Sequence, residues 1–322
     1  MTTYKEIKGA NIETVASDPS NPTNGQIWFN TTTYVVKGNV NYGTGSWATG
    51  GDLNSARNGL GGAGIQTSAL AFGGSPNTAN TEKYNGTSWT EVNNLNSPRR
   101  WLGSCGASNT AALGFGGSEP TNTAKTEKWN GTNWTEVNDL NTARSNMLGG
   151  IGTSTAALGF GGYNPPNLYA ITESWNGTNW TEVNDLNTAR AFLTGAGTTT
   201  AGLAFGGTIP GSDPTANTEL WNGTNWTEVN NLTTARGQLG GDGTQTSALA
   251  FGGYNGTAAV TLTESWNGTN WTELSDITAA TSRLSGCGAS NTSALVFGGG
   301  FPPKATTEEW NAGDLTTTFT DA

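Results

Sequence analysis

Short runs of alternating apolar and polar residues repeat along most of the chain, and each repeat predicts four β-strands. The triplet Phe-Gly-Gly ends an apolar run six times, at Phe72, Phe115, Phe160, Phe205, Phe251 and Phe297, at intervals of 43 to 46 residues. A run of small residues precedes each apolar run, and two short runs bearing aromatic residues follow it. Such runs indicate strands. Units of about 45 residues with four strands are typical of β-propeller blades.

We name the four predicted strands a to d in chain order. Strand c carries Thr-Glu and ends at Tyr84, Trp129, Trp175, Trp221, Trp266 and Trp310. Strand d begins at Trp89, Trp134, Trp180, Trp226 and Trp271. The Asn-Gly between c and d predicts a type I′ hairpin, which needs positive φ at both positions. Small residues in strand a suit the crowded axis of a propeller, and the aromatics suit its wider outer part.

The two ends of the repeat region predict how the ring closes. Six c strands are present, but only five d strands follow them, because the chain stops soon after Trp310. Residues 46–50, around Trp47, match the missing d strand. We expect this N-terminal strand to pair with the last blade beside Trp310, which removes an exposed sheet edge.

The paired glycines after an apolar strand, followed by two spaced aromatics, resemble the kelch repeat over roughly residues 42–314. The resemblance implies an all-β fold, a six-bladed kelch-type β-propeller with four-stranded blades. The Phe before the glycines and the high identity between units depart from the family pattern. Kelch propellers serve unrelated functions, so the fold alone assigns none.

Residues 1–41 do not repeat. The runs QIWFN and YVVKG around TTT predict a short β-hairpin that carries Trp28. The segment NPTNGQIWFNTTT…KG resembles a module of tailed-bacteriophage virion proteins, especially fibre and other appendage proteins. The resemblance implies a docking or linker segment at 1–41, ahead of a propeller at 42–314 and a C-terminal tail at 315–322. The alternative is an N-terminal arm that packs on the ring.

Charge and hydropathy limit the expected partners. The net charge is −10, which argues against nucleic acid as a partner. The N-terminus lacks the apolar stretch of a secretory signal peptide, and no run of about 18 apolar residues predicts membrane insertion. We expect a virion protein made in the host cytoplasm, present in multiple copies and bound to other virion proteins through its N-terminal segment.

The residue types argue against catalysis. The chain has no histidine, which excludes Ser-His-Asp and Cys-His sites and histidine-ligated metals. Eleven glutamates occupy the repeated positions of strands c and d, and recurrence in every blade indicates a structural role. Asp139 and Asp185 lack the dense acidic loop of a calcium site. We therefore expect no enzyme activity, no catalytic residue, no metal and no cofactor.

An arginine precedes each strand a, near the end of an Asn-Thr-Ala-Arg-like stretch. Two interpretations are open: a cationic collar that binds an anion at the channel mouth, or a set of structural pairs with a Glu or a carbonyl in each blade. Sixfold recurrence favours the structural ring, whose members are Arg57, Arg99, Arg144, Arg190, Arg236 and Arg283.

The b–c connections and the positions after each arginine differ between repeats, whereas the c–d turns barely change. In a propeller the b–c and d–a loops share one face, so we expect one variable and one constant face. Loops on a rigid scaffold are where binding specificity tends to reside, although drift in unselected loops gives the same pattern. The candidate ligand-binding residues are Arg100, Trp101, Met147, Tyr163, Tyr169, Phe192, Gln238, Tyr254 and Phe301.

Three functions remain open from the sequence. The first is a non-catalytic phage surface or appendage protein whose propeller binds a glycan or protein on the host surface. The second is a structural protein that decorates or braces the capsid or tail without receptor binding. The third is a cytosolic kelch adaptor.

Overall fold

The computed structural model describes residues 13–18, 27–39, 45–146, 150–312 and 316–318. The chain divides into two compact units, Met1–Gly45 with Ala312–Ala322, and Ser46–Asn311. The division falls at residues 45/46 and 311/312, a few residues inside the segment expected at 42–314. All regular structure in the described part of the chain is β-strand, and it contains no helix long and apolar enough to cross a membrane.

The larger unit consists of six four-stranded antiparallel sheets, each with the strand order a-b-c-d, which confirms the predicted six-bladed propeller. The a strands are Gly61–Ile65, Gly103–Ser108, Gly150–Thr153, Thr194–Gly197, Gly240–Thr244 and Ser285–Ser290. The b strands are Ser68–Phe72, Ala111–Phe115, Ala156–Phe160, Gly202–Phe205, Ser247–Phe251 and Ser293–Phe297. The c strands are Thr81–Tyr84, Thr126–Trp129, Thr172–Trp175, Thr218–Trp221, Thr263–Trp266 and Thr307–Asn311. The d strands are Trp89–Val92, Trp134–Val137, Trp180–Val183, Trp226–Val229, Trp271–Glu273 and, for blade 6, Ser46–Thr49.

The last blade takes its outer strand from the N-terminal side of the repeat region, as predicted. Trp47 lies opposite Trp310, and Thr49 lies opposite Glu308, in an antiparallel pairing. The two indole rings lie 5.4 Å apart. Closure therefore depends on a strand separated from its partner by most of the chain, and it leaves no blade incomplete.

One aromatic contact repeats at all six junctions between blades. In each blade the phenylalanine that ends strand b packs against the strand-d tryptophan of the next blade. The ring centroids of Phe72 and Trp134, for example, lie 4.6 Å apart. The same indole donates a hydrogen bond to the threonine that begins strand c of the preceding blade. Trp134 Nε1, for example, lies 3.0 Å from Thr81 Oγ1. Because the tryptophan is buried and its N–H is satisfied, each junction gains apolar burial without an orphan donor. The strand-d tryptophans in this role are Trp47, Trp89, Trp134, Trp180, Trp226 and Trp271.

The paired glycines after each strand b allow a close backbone approach. Gly73 has a φ of 66° and Gly74 a φ of 113°, values that favour glycine. A Cβ on Gly73 would lie 2.5 Å from the carbonyl oxygen of Arg99, in the linker to the next blade. The double glycine therefore brings the exit of strand b against that linker.

The c–d hairpins form where they were predicted, but not as type I′ turns. Gly131 has a φ of 95°, whereas Asn130 is not in the positive-φ region. The Asn130 side chain instead accepts hydrogen bonds from the N–H groups of Thr132 and Asn133, at 2.9 and 2.8 Å. The side-chain oxygen of Asn130 closes a four-residue loop, so this turn does not require positive φ at the asparagine.

The smaller unit contains a sheet of four short strands, Glu13–Val15, Ile27–Asn30, Val35–Asn39 and Thr316–Thr318. The second and third strands form the hairpin that carries Trp28. Thr316–Thr318 pairs with the third strand, so part of the segment expected to be a tail belongs to this sheet. Asp18 accepts hydrogen bonds from the side chains of Lys37, Asn30 and Trp28, and these contacts lower the pKa of Asp18 to about 2.

Candidate functional site

The b–c loops and the d–a linkers lie together on one face of the propeller, which we call the variable face. A linker residue of each of the first five blades forms a β-bridge with the b–c loop of the same blade, as Arg100 does with Ser118. In blades 2 and 3 the b–c loop carries a small hairpin of its own, Ser118–Glu119 with Thr121–Asn122 and Tyr163–Asn164 with Asn167–Leu168.

A closed cycle of backbone hydrogen bonds lies where the six linkers enter strands a, at the mouth of the central channel. One residue of each linker has φ between 56° and 60°, and its N–H donates to the carbonyl of the corresponding residue in the preceding linker at 2.7 to 2.9 Å. We call these residues the mouth ring: Gly59, Trp101, Asn146, Phe192, Gln238 and Arg283. Because every donor and acceptor of the cycle is satisfied, its backbone geometry is fixed from within.

Side chains of the mouth ring contact one another across the mouth. The Trp101 and Phe192 rings lie 5.9 Å apart at an interplanar angle of 89°. The guanidinium carbon of Arg283 lies 5.3 Å from the centroid of the Trp101 ring. A Cβ on Gly59 would lie 2.5 Å from Trp101 Cε3, so the glycine makes room for the indole. Residues from alternate blades thus form one small aromatic and cationic cluster.

Three concave pockets surround this cluster. Pocket A, of about 470 Å³, is lined by Arg100, Trp101 and Tyr163, among others. Pocket B, of about 610 Å³, is lined by Tyr163 and Phe192, among others. Pocket C has a volume of about 570 Å³, and its lining includes Gln238, Tyr254, Arg283, Phe301 and Lys304. These volumes fall in the range of about 300–1,000 Å³ that small-molecule sites occupy.

Seven of the nine candidate ligand-binding residues line these pockets. They are Arg100, Trp101, Tyr163, Phe192, Gln238, Tyr254 and Phe301. Tyr169 is half-buried and does not line any of the three; its backbone binds Gly162 and Arg190. Met147 lies outside the described residues.

Five arginines of the expected structural ring are buried and face a glutamate in strand c of the blade that their linker enters. Arg99 Nη2 lies 2.8 Å from Glu127 Oε1, and Arg99 Nη1 donates to the carbonyls of Gly116 and Lys125. Burial lowers the pKa of Arg99, and the Glu127 carboxylate opposes that change. The five pairs are Arg57–Glu82, Arg99–Glu127, Arg144–Glu173, Arg190–Glu219 and Arg236–Glu264, at 2.7 to 3.1 Å.

Arg283 does not share that arrangement. Thr281 occupies the buried position in the linker to blade 6, and its N–H binds the carbonyl of Val260 as the N–H of Arg236 binds that of Thr215. Arg283 stands two residues later, in the mouth ring. The spacing to the leucine before strand a carries the signal: Arg57 precedes Leu60 by three positions, whereas Arg283 directly precedes Leu284.

The channel behind the mouth ring is lined almost entirely by glycine and other small residues of strands a, with a volume of about 100 Å³. Among the described residues that line it, Asp242 is the only charged one. This residue is 7% exposed, and no donor among the described residues binds either carboxylate oxygen. Burial raises the pKa of Asp242 well above its usual range. The repeat pattern did not reveal this residue, because the equivalent strand-a position holds alanine in other blades. Ala63 and Ala196 occupy that register position in blades 1 and 4.

The described residues contain no group of three or more His, Cys, Asp or Glu side chains arranged to hold a metal ion. Cys105 and Cys287 are buried free thiols. No protein-family model matches the chain, and no curated protein is similar to it in sequence.

Proposed function

We propose that this chain is a non-catalytic ligand-binding protein of a tailed-phage virion. In this proposal a kelch-type propeller binds a glycan or protein of the host surface with its variable face. The N-terminal segment docks the protein to other virion proteins, in multiple copies per particle.

The observation that carries the proposal is the convergence of aromatic and polar side chains on the variable face. Trp101 and Phe192 come from different blades and meet over the channel mouth, next to three pockets. Aromatic side chains beside hydrogen-bonding groups are what sugar rings and protein hot spots require. The closed mouth ring holds these side chains on a rigid backbone, which limits the entropy lost on binding.

The engagement of the strand-c glutamates supports a role without catalysis. Glu82, Glu127 and Glu219 each bind an arginine with one oxygen and linker N–H groups with the other. A catalytic carboxylate has to reach a substrate, and these three are fully buried. The carboxylates that recur most often in the chain are therefore committed to the fold.

The binding proposal is tested by removing the two aromatics that meet at the mouth. We expect Trp101→Ala with Phe192→Ala to lower binding of the isolated protein to host cells by about tenfold or more, because buried aromatic anchors dominate such interfaces. Adsorption of particles that carry the variant should fall in parallel. Cell-binding isotherms measure the first effect and free-phage counts the second.

Ile65→Ala is the matched control, because it removes a 38% exposed apolar side chain at an a–b turn on the opposite face. It should leave binding unchanged. If the double variant folds and binds host cells as well as the unchanged protein does, the variable face is not the receptor site. The second candidate, a bracing protein, would then be favoured, since the near-identical c–d turns offer a uniform surface for protein contacts.

A further inference from the structure

We propose that pocket C binds the carboxylate of an acidic sugar, with Arg283 and Lys304 as the charged ligands. This inference rests on the proposed function, because it names the chemistry of one pocket on the same variable face. Pocket C contains two cations, and neither has a carboxylate partner in the described part of the chain, whereas the buried arginines of the other five linkers are paired.

Arg283 is oriented by three neighbours and keeps most of its donors free. Its guanidinium carbon lies 5.3 Å from the Trp101 ring and 5.6 Å from the Phe301 ring. Its Nε donates to Gln238 Oε1 at 3.2 Å. Among the described residues, no protein acceptor binds its two terminal nitrogens, which form the fork that pairs with a carboxylate.

Lys304 adds a second cation to the same pocket. Its Nζ donates to the carbonyl of Ala280 at 3.1 Å and to Thr281 Oγ1 at 2.9 Å. An ammonium has three protons, so one remains for a ligand. Both of its protein partners are neutral, and they fix the ammonium in place without cancelling its charge.

Neither cation has a carboxylate within 4.0 Å in the described part of the chain. The buried arginines of the other five linkers each face a glutamate. Two uncompensated cations in one pocket are notable in a chain with a net charge of −10. A ligand that supplies a negative charge would complete this local pairing.

The aromatic surroundings favour a sugar acid over a bare anion. Tyr254 and Phe301 line the pocket with Arg283 and Lys304, and Phe301 is 85% exposed. An exposed aromatic ring beside a cation offers a face for a pyranose ring while its carboxylate reaches the cation. The volume of about 570 Å³ is sufficient for a sugar unit.

The test measures binding of a trigalacturonate and of a neutral galactose trisaccharide to the whole protein by titration calorimetry. We expect the acidic trisaccharide to bind more tightly, and Arg283→Gln to weaken its binding by about tenfold, as for a lost charge-assisted hydrogen bond. Lys304→Gln, which lies outside the mouth ring, should weaken it in the same direction. Lys128→Gln removes one positive charge from strand c of blade 2, outside the three pockets, and should leave trigalacturonate binding within about twofold.

Equal binding of the two trisaccharides, or trigalacturonate binding that neither variant weakens, would overturn the inference. Displacement of trigalacturonate by inorganic phosphate but not by acetate would assign the pocket to a phosphate group and would also overturn it. If these results came with loss of host-cell binding in the Trp101 and Phe192 double variant, the proposed function would stand without the acidic sugar. If the double variant also bound normally, both proposals would fail.

Discussion

Buried charged residues of the propeller differ in whether they have an ion-pair partner. The buried arginines and the strand-c glutamates of five blades form ion pairs, whereas no donor in the described part of the chain binds either oxygen of Asp242 in the channel. A buried carboxylate without a partner destabilises the fold when it is ionised, because no interaction replaces its lost hydration. The two kinds of charge should therefore respond in opposite ways to mutation.

We expect Asp242→Ala to stabilise the protein at pH 7. Alanine already occupies this position in blades 1 and 4, and it removes an unsatisfied buried group whose cost is roughly 1–3 kcal/mol. The raised pKa means that the folded state binds its proton more tightly than the unfolded state does, so the native protein loses stability as the pH rises above about 4. The advantage of the variant should therefore be largest at neutral pH and shrink toward pH 4.

Urea unfolding at several pH values measures this difference. Asp213→Ala, which removes an exposed aspartate, should change the free energy of unfolding very little. Cys287 occupies the same register position in the next blade. Burial and the nearby Asp242 raise the pKa of Cys287, so its thiol stays neutral at pH 7 and the pH dependence reports on Asp242. A variant less stable than the unchanged protein at pH 7, or a gain that does not depend on pH, would refute the account of Asp242.

At the scale of elements, each d–a linker is fastened to the blade that it enters by one glutamate. In blade 2, Glu127 binds Arg99 with one oxygen and the backbone and side chain of Asn96 with the other. In blade 6, Glu308 accepts a hydrogen bond from the N–H of Thr278, and Thr281 occupies the linker position that holds the paired arginine in the other blades. The same strand position is thus held by a charged pair in one blade and by a neutral contact in another.

This difference predicts unequal costs for one substitution. Glu127→Gln leaves the buried Arg99 without its counter-charge and should lower the free energy of unfolding by about 3–5 kcal/mol. Glu308→Gln removes no ion pair and should cost about 1 kcal/mol. Equilibrium urea unfolding of the two variants gives both values, and equal losses would show that the arginine pair contributes nothing beyond the linker hydrogen bonds.

The sequence predicted the blades and their closure because those depend on a pattern that lies within one repeat and recurs six times along the chain. It predicted much of the variable face for a similar reason, since the loops that differ could be compared with those that do not. The mouth ring was not predicted, because five of its hydrogen bonds join residues about 45 positions apart, the sixth joins Gly59 to Arg283, and the cycle exists only when the propeller closes. The Asn-Gly dipeptide does not distinguish a type I′ turn from a loop closed by the Asn130 side chain. Arg283 follows a stretch like those of the other arginines, but only its spacing to Leu284 separates it from them.

At the scale of the whole propeller, blade 6 is closed without a continuous chain between its strands c and d. Strand Ser46–Thr49 completes blade 6, and Trp89 of blade 1 packs on Phe297 at 4.9 Å and donates to Thr307. Tyr84, which replaces tryptophan in blade 1, donates to Glu309 at 2.6 Å. The closing strand has the same contacts as the other d strands, but only non-covalent interactions hold it to its own blade.

We expect Trp47→Ala and Trp180→Ala to differ in their assembly state. Both remove one inter-blade tryptophan and should lower stability by about 3–5 kcal/mol. Only Trp47→Ala loosens the closing strand, which a second molecule can then supply by strand exchange. Light scattering after size exclusion should show concentration-dependent larger species for Trp47→Ala and none for Trp180→Ala, each compared with the unchanged protein. Identical profiles for the two variants would contradict this role of the closing strand.

The hydrogen-bonded cycle at the channel mouth also bears on how such a protein can diversify. Its backbone is satisfied whichever side chains it carries, and the chain already places Gly, Trp, Asn, Phe, Gln and Arg there. Point substitutions can therefore change the side chains presented at the channel mouth, with no insertion and no refolding of the scaffold. The limit is conformational: the left-handed backbone disfavours β-branched residues, and none occurs among these six.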